Sequence, residues 1–339
     1  MKKNHMMMAG AKHFPKATHW AHSLRGQQTT VTIVFLAAPL LLFFVFTCIP
    51  FFNMVRFSFY DMKYIGEKIY VGFDNYISIF SRDDILQSLG LSFYYLGASV
   101  IQLSAALFFA CILSFKTKCG SLFKGLMFFP FLVCGIAVGF IFKFFFTHGF
   151  VFDTFLSWIG FNVDNLPYWL KDTGVNNFSL AGTSIWRYTG QNMVLFIGAI
   201  MSVDPNLYEA AEIDGANGFN KFFHVMLPSI KTIVVLNIIL SVSGSISVFE
   251  PPYVTTGGSF GTATYFVLMD RIAHLDQKVG LASAMAVVLL LIIILITALQ
   301  KLIFHVFLDE DSKGMTYMER HKRAKREKAV LAGKGAVKG

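Results

Sequence analysis

The sequence predicts an all-α membrane protein with six transmembrane helices, on the evidence of its composition, its apolar runs and the placement of its basic residues. Of its 339 residues, 55% are hydrophobic and 14% are charged, whereas a soluble domain carries about 25% charged residues. Several apolar runs reach the roughly 20 residues that cross a hydrocarbon core of about 30 Å. The predicted spans are Val31–Phe52, interrupted by Pro39 and ending at Pro50, Ser88–Phe115, Leu122–Phe146 with Pro130 inside, Leu180–Val203, Thr232–Phe249 and Val279–Phe304.

These spans define the predicted domain organisation. It consists of an N-terminal tail (1–30), a first transmembrane helix (31–53), an external loop (54–87), a core with five further spans (88–304) that includes a loop at 204–229, and a basic tail (305–339). Lysines and arginines concentrate in the two tails and between spans two and three, whereas most acids lie in the other loops. Because cytoplasmic loops of membrane proteins are rich in Lys and Arg, both termini and the 204–229 loop are expected in the cytoplasm.

The remaining composition argues against several other classes of function. The net charge of +9 lies mostly in the tails and indicates topology and contact with anionic lipid rather than nucleic-acid binding. About 29 polar and basic residues precede the first span, so a cleavable signal peptide is not expected. The four cysteines form no CxxC pair, and no phosphate-binding loop, HExxH or GxSxG motif is present. The chain is therefore expected to have no metal site and no catalytic residues.

The most polar internal stretch is "EAAEIDGANGFNKFFHVMLPSI", Glu209–Ile230. Asp204 followed by Pro205 is a good helix start, because Asp caps free backbone N–H groups and Pro suits the first helical position. Gly215 and Gly218 predict a break, and a second short helix with aromatic residues at helical spacing is expected to end at Pro228. Helices that lie on lipid usually have a basic polar face, but the first half here is acidic. The stretch is therefore predicted to dock into a cleft of a partner protein.

This stretch resembles the EAA loop of permease subunits in bacterial ABC importers. The residues that match the pattern of the loop are Glu209, Ala210, Ala211, Gly215, Leu227 and Pro228. The segments "YVGFDNYISIF" (Tyr70–Phe80) and "TGGSFGTATYFVL" with "VGLASAMAVVLLL" resemble the carbohydrate-uptake branch, near the maltose, multiple-sugar and glycerol-3-phosphate permeases. The resemblance covers all six spans and implies the type I ABC importer permease fold.

The resemblance also implies partners and a mechanism. The expected partners are a second homologous permease subunit, two ATP-binding subunits, an extracytoplasmic solute-binding protein and the bilayer of the bacterial cytoplasmic membrane. ATP and Mg would be bound by the ATPase partner, and this chain would bind no cofactor. The EAA loop would sit in a groove of the ATPase and transmit its closure to the spans. The residues expected to couple to the ATPase are Glu209, Ala210, Ala211, Asp214, Gly215, Phe219, Phe222 and Phe223. The chain lacks the large insertion between early spans found in the largest family members, so an extended external grip on the binding protein is not expected.

Polar residues within spans four and five predict a solute site. Arg187 is a charge inside the membrane, where charges are costly and usually face a cavity. Asn237, Ser241 and Ser245 repeat every four residues and form one polar stripe along span five. The predicted solute contacts, which the resemblance to the maltose permease supports, are Ser184, Arg187, Tyr188, Gln191, Ser241, Ser245 and Glu250. Two alternatives stay open: the serines can bond to their own helix, and Arg187 can pair with Glu250 or with an acid of the partner permease.

The leading interpretation is thus one permease subunit of an ATP-driven, binding-protein-dependent importer for a sugar or oligosaccharide. An importer of the same class for another solute, such as glycerol phosphate, a nucleoside or a peptide, is the first alternative. An ion-driven secondary transporter would show paired acids in the membrane or an internal repeat, and a membrane-embedded enzyme would show clustered catalytic groups. Neither feature is visible in the sequence.

Overall fold

The computed structural model describes residues 24–115 and 118–305. Residues 1–23 of the predicted N-terminal tail and 306–339 of the predicted basic tail therefore lie outside the described residues, whereas residues 24–30 already belong to a helix. The chain divides into two units, which meet in sequence at Phe57 and Ser58.

The first unit is a long helical segment whose apolar side chains are largely exposed, as expected for a helix that faces lipid. Its elements are α1 (Leu24–Phe43), a π-helix (Phe44–Cys48) and α2 (Ile49–Phe57). The prediction that this span ends at Pro50 is wrong, because the helix continues to Phe57. The N–H of Ile49 bonds to the carbonyl of Phe44, five residues back. This wider turn accommodates a proline ring that would clash with the carbonyl of an ordinary α-helical turn.

The second unit is mostly helical. Its elements are β1 (Tyr60–Met62), β2 (Lys68–Tyr70), α3 (Asp74–Ser81), α4 (Asp83–Gly90), α5 (Ser92–Ser114), α6 (Gly120–Leu132), α7 (Gly135–Phe145), α8 (Val151–Trp158), a 3₁₀-helix (Val163–Asn165), α9 (Asn176–Met201), α10 (Pro205–Ile213), α11 (Gly218–Lys221), a π-helix (Phe222–Met226), α12 (Leu227–Ile246), α13 (Glu250–Thr255), α14 (Tyr265–His274) and α15 (Val279–His305).

The strands form a small antiparallel sheet that the all-α prediction did not include. Tyr60 pairs with Tyr70 and Met62 with Lys68. The side chain of Asn75, within the "YVGFDNY" stretch, donates hydrogen bonds to the carbonyls of Ser58 and Tyr60, at 2.9 and 3.0 Å. This stretch therefore fixes the hairpin to α3.

The third predicted span is broken. Helices α6 and α7 meet at an angle of 97°, with extended residues Val133 and Cys134 between them. Pro130 lies two residues before the break, and the N–H of Val133 turns back to its carbonyl at 3.3 Å. The predicted third span, Leu122–Phe146, is therefore two helices and not one.

Fewer helices meet the length and hydropathy expected of a membrane span than the six predicted. In the described part of the chain, four helices are long and apolar enough to cross a membrane, or five if α6 and α7 together form one span. The difference comes from α9, which has 26 residues but carries many polar ones on its buried faces.

Helix α9 packs along α5 and α6 and forms the centre of the unit. Gly190 is buried at the contact with α6, and a Cβ atom there would overlap the carbonyl oxygen of Met127. On the same side, Met193 and Phe196 are fully buried and pack in a cluster with Met226 and Ile230. Small and large residues thus alternate along α9, so that the backbone of α6 can approach it closely.

This contact predicts that Gly190→Ala lowers the free energy of unfolding by about 1–3 kcal/mol, because the clash is with backbone and cannot be relieved by a rotamer change. Thermal or denaturant unfolding of the purified chain in detergent measures it. The matched control is Gly198→Ala, on the same helix, where a Cβ meets nothing within 4 Å. Equal stability of the two variants would contradict the assigned contact.

Candidate functional site

A cavity of about 630 Å³ lies among α5, α9, α12 and α13. All seven residues predicted to contact solute line it: Ser184, Arg187, Tyr188 and Gln191 on α9, Ser241 and Ser245 on α12, and Glu250 on α13. The four residues on α9 follow the spacing i, i+3, i+4 and i+7, which places them on one face of the helix. The structure therefore brings the predicted set together at one site, and their contact with solute stays a prediction.

The charges at this site form an ion pair. Arg187 donates through Nη1 to Oε2 of Glu250. Of the two partners considered for Arg187, Glu250 of the same chain is therefore the one seen in the structure. The side chain of Arg187 is 14% exposed and that of Glu250 is 41% exposed. The guanidinium also lies over the ring of Tyr188, with 5.1 Å between its central carbon and the ring centroid, a favourable cation–π arrangement.

The carboxylate of Glu250 is held close to the first residue of α7. Gly135 occupies that position, and a Cβ atom there would overlap the carboxylate. The first turn of a helix has free N–H groups and a partial positive charge, both of which stabilise a nearby carboxylate. The break between α6 and α7 thus supports the ion pair by placing a helix start inside the bundle.

Helix α5 adds polar groups that the predicted site did not include. Tyr95, Ser99 and Gln102 line the same cavity and are all buried. Their spacing, i, i+4 and i+7, puts them on one face of an otherwise apolar helix. That periodic polar face is the signal in the sequence that would have identified them.

Several polar groups of the cavity already have partners within their own helices. The hydroxyl of Ser245 donates to the carbonyl of Ser241 at 2.8 Å, and that of Ser247 to Ser243 at 2.9 Å. The amide of Asn192 donates to the carbonyl of Tyr188 at 3.1 Å. For Ser245, the alternative that serine bonds to its own backbone is therefore seen in the structure.

Other groups at the cavity have no partner among the described residues. Both amide atoms of Asn237, the hydroxyl of Tyr95 and Nε of Arg187 are buried without a hydrogen bond. Asn237 is 0% exposed and Tyr95 is 2% exposed. Buried polar atoms are normally bonded, so these atoms at the wall of the cavity are unsatisfied within the described part of the chain.

The loop between α9 and α12 begins as the sequence predicted. Asp204 caps α10, and its Oδ1 accepts from the N–H of Asn206 at 3.0 Å. Gly215 has φ +78°, a value that side chains with a Cβ rarely adopt. Gly218 differs from the expectation of a break there, since it is the first residue of α11, which Asn217 caps by accepting from Asn220 N–H at 2.8 Å.

The second helix of the loop does not end at Pro228, which corrects the prediction. Helix α11, the π-helix and α12 are continuous from Gly218 to Ile246. The N–H of Leu227 bonds to the carbonyl of Phe222 in a π turn directly before Pro228. The second helix of the loop and span five are therefore one continuous helix.

The predicted coupling residues divide into an exposed and an anchored group. Exposed are Glu209, Ala210, Asp214, Gly215, Phe223 and Phe219, the last at 70%. Ala211 is buried, and Phe222 packs against the cluster that contains Met226 and Ile230. Tyr208 packs against the same cluster, and burial raises the pKa of its hydroxyl. Ala211 and Phe222 therefore face this chain's own bundle, and the coupling role of the predicted set stays a prediction.

Comparison with known proteins identifies the family. A profile of the binding-protein-dependent transport system inner membrane components matches residues 102–305. The probable ABC transporter permease protein YurN of Bacillus subtilis (strain 168) is 29% identical over 286 residues, which cover 82% of this chain and 97% of YurN. The arabinooligosaccharides transport system permease protein AraP of Halalkalibacterium halodurans is 30% identical over 281 residues, which cover 80% of this chain and 87% of AraP.

Solved structures show the same fold. A chain in the crystal structure of a bacterial alginate ABC transporter, in complex with alginate pentasaccharide-bound periplasmic protein, aligns with a TM-score of 0.73 at 18% identity and covers 83% of this chain and 96% of its own length. A second structure, of an ABC transporter that imports the acidic polysaccharide alginate, aligns with a TM-score of 0.68 at 17% identity, covering 82% and 96%. These likenesses establish the type I importer permease fold. The resemblance carried by the EAA segment is confirmed: the chain belongs to the family of binding-protein-dependent transport system inner membrane components, as a multi-pass permease subunit of an ABC transporter.

Proposed function

We propose that this chain is one of two permease subunits in an importer for a sugar or oligosaccharide, and that ATP-driven movement of its 204–229 loop opens and closes the solute cavity. AraP, which aligns with 80% of this chain, is named for the transport of arabinooligosaccharides, and the fold neighbours belong to transporters of alginate. These names favour a carbohydrate over a nucleoside, a peptide or glycerol phosphate.

One observation carries the proposal. The loop joins α9 and α12, and these two helices hold six of the seven predicted solute contacts, with four on α9 and two on α12. Because α12 is continuous with the second helix of the loop, a displacement of the loop moves the lining of the cavity with it. A continuous secondary-structure element of this kind can carry coupling between distant sites.

The exposed part of the loop suits a protein partner. Glu209 and Asp214 are exposed, and Lys221 pairs with Glu212 at 2.7 Å between Nζ and Oε1. The exposed apolar side chains of Ile213 and Phe219 lie among these charges. Together they form a mixed surface with large apolar anchors and a polar rim, which is typical of protein interfaces.

In the proposed cycle, two ATPase subunits bind ATP and Mg, move toward each other and thereby displace this loop. The cavity then faces an external solute-binding protein, receives the sugar, and opens to the cytoplasm when the ATPase subunits separate. Both termini and the loop lie in the cytoplasm, α9 crosses the bacterial cytoplasmic membrane as the fourth of six spans, and the bent pair α6–α7 crosses it as one unit. This chain itself holds no cofactor.

The loop is tested by Glu209→Ala and Gly215→Val in the assembled importer. We expect each variant to weaken association with the ATPase subunits about 10-fold or more, because a docking anchor or the left-handed turn is lost, and to reduce ATP-dependent sugar uptake accordingly. Co-purification and uptake into proteoliposomes measure the two effects. Glu212→Gln is the matched control, because that exposed acid is engaged by Lys221 within the loop. Wild-type uptake by both variants would contradict the coupling role.

The cavity is tested by Gln191→Leu, which removes a polar group of the lining while keeping a similar volume. We expect the relative uptake rates of a panel of neutral sugars to change, by about 10-fold for those that bond to Gln191, since a buried hydrogen bond is lost. Uptake of each sugar into proteoliposomes is the measurement. Val194→Leu, at an exposed position on the same helix that does not line the cavity, should keep the wild-type order. An unchanged order in Gln191→Leu would count against this cavity as the solute path.

A further inference from the structure

The described residues that line the cavity carry one positive and one negative charge, and these neutralise each other. Arg187 and Glu250 form the pair, and the other described lining residues are uncharged. An unpaired guanidinium in a membrane cavity would attract anions strongly, because charges interact more strongly in a low dielectric. With Glu250 bound to it, Arg187 offers little net attraction to an anion.

This neutralisation is fixed by the fold rather than left to a mobile surface acid. The carboxylate of Glu250 lies against Gly135 at the start of α7, where a larger residue would displace it. An entering anion would therefore have to compete with a carboxylate that is already paired with Arg187 and packed against Gly135.

Apart from Nε of Arg187, the polar atoms of the cavity that are left without partners belong to uncharged side chains. Asn237 offers one donor group and one acceptor, Tyr95 offers a hydroxyl, and Nε of Arg187 offers one donor. A sugar hydroxyl both donates and accepts, so it can satisfy either end of the Asn237 amide. A carboxylate of a sugar acid only accepts, and it would meet the carboxylate of Glu250 nearby.

We propose, on the basis of the proposed function, that the cavity selects an uncharged, hydroxyl-rich oligosaccharide. The Arg187–Glu250 pair excludes acidic sugars, and Asn237 and Tyr95 are additional residues that contact the solute. The fold neighbour imports an acidic polysaccharide, so the fold alone does not decide the charge of the solute. In this chain the paired charges of Arg187 and Glu250 in the cavity determine the charge of the solute.

The test measures the binding of a neutral and of an acidic trisaccharide to the assembled complex of permease and ATPase subunits in nanodiscs. The solute-binding protein is left out. The probes are maltotriose and trigalacturonate, and the measured quantity is the ratio of their dissociation constants. Wild type should bind maltotriose about 10-fold tighter or better, the factor that corresponds to roughly 1.4 kcal/mol. Glu250→Gln should shift the ratio about 10-fold toward trigalacturonate, and Arg187→Gln should shift it the other way.

The double variant Arg187→Gln/Glu250→Gln is the matched control, because it removes both charges and keeps the cavity neutral. It should return the ratio toward the wild-type value even if its absolute affinities fall. A wild-type cavity that binds trigalacturonate as well as maltotriose, or binds neither, would overturn the proposal. So would a ratio that stays the same in both single variants.

The role of Asn237 is tested separately with Asn237→Leu. Because its amide has no hydrogen bond to lose in the free protein, the melting temperature should stay the same or rise, while the affinity for maltotriose falls about 10-fold. A lower melting temperature together with unchanged affinity would show a structural role and overturn the assignment.

Uptake measurements distinguish the charge selection from the proposed importer function. ATP-dependent import of trigalacturonate would overturn the charge selection and leave the importer function standing. If no sugar is imported with ATP, the proposed function itself fails.

Discussion

Inside a bilayer every backbone N–H and C=O group needs a partner within the protein, and this requirement decides what each proline does to its helix. Pro50 and Pro228 each occupy the second position of an α-helix that follows a five-residue π-helix. The π turn relieves the clash of the ring, so both helices continue. Pro130 lies just before a break, where the chain turns by 97° and starts a new helix at Gly135.

The continued helix at Pro228 and the break after Pro130 shape the 204–229 loop and the cavity, respectively. The continuous helix across Pro228 connects the loop at Gly218 to the polar stripe of α12. The break after Pro130 places a helix start beside Glu250, which in turn binds Arg187. A straight helix over residues 120–145 would not place the start of a helix, with its free N–H groups, beside the carboxylate of Glu250. The neutral cavity therefore depends on where the backbone is interrupted.

The local part of the site was predictable from the sequence, whereas the long-range part was not. The four residues of α9 share a face because helical periodicity alone places them there, and the cap at Asp204 and the left-handed turn at Gly215 follow from residue type. The polar face of α5 (Tyr95, Ser99 and Gln102) also follows helical periodicity in the sequence, but the predicted site did not include it. The contact of Gly135 with Glu250 joins residues that are far apart in the sequence and leaves no local signal. The helix ends predicted at Pro50 and Pro228 were wrong because the effect of a proline depends on the turn before it, which tertiary packing selects.

The loop is anchored on one side and exposed on the other, and this asymmetry is what a coupling element requires. Phe222 and Met226 pack with Met193 and Phe196 of α9, so the start of the α12 helix and the end of α9 are held in one cluster. Phe219, on the preceding turn, is exposed and contacts Phe223 with 4.6 Å between ring centroids. A partner that displaces the exposed side would therefore move α9 and α12 together, because their shared cluster resists separation at native packing density. In the proposed cycle such a joint movement would carry both charges of the ion pair, because Arg187 lies on α9 and Glu250 begins α13, directly after α12. Charge selection and opening thus remain independent in the proposed cycle.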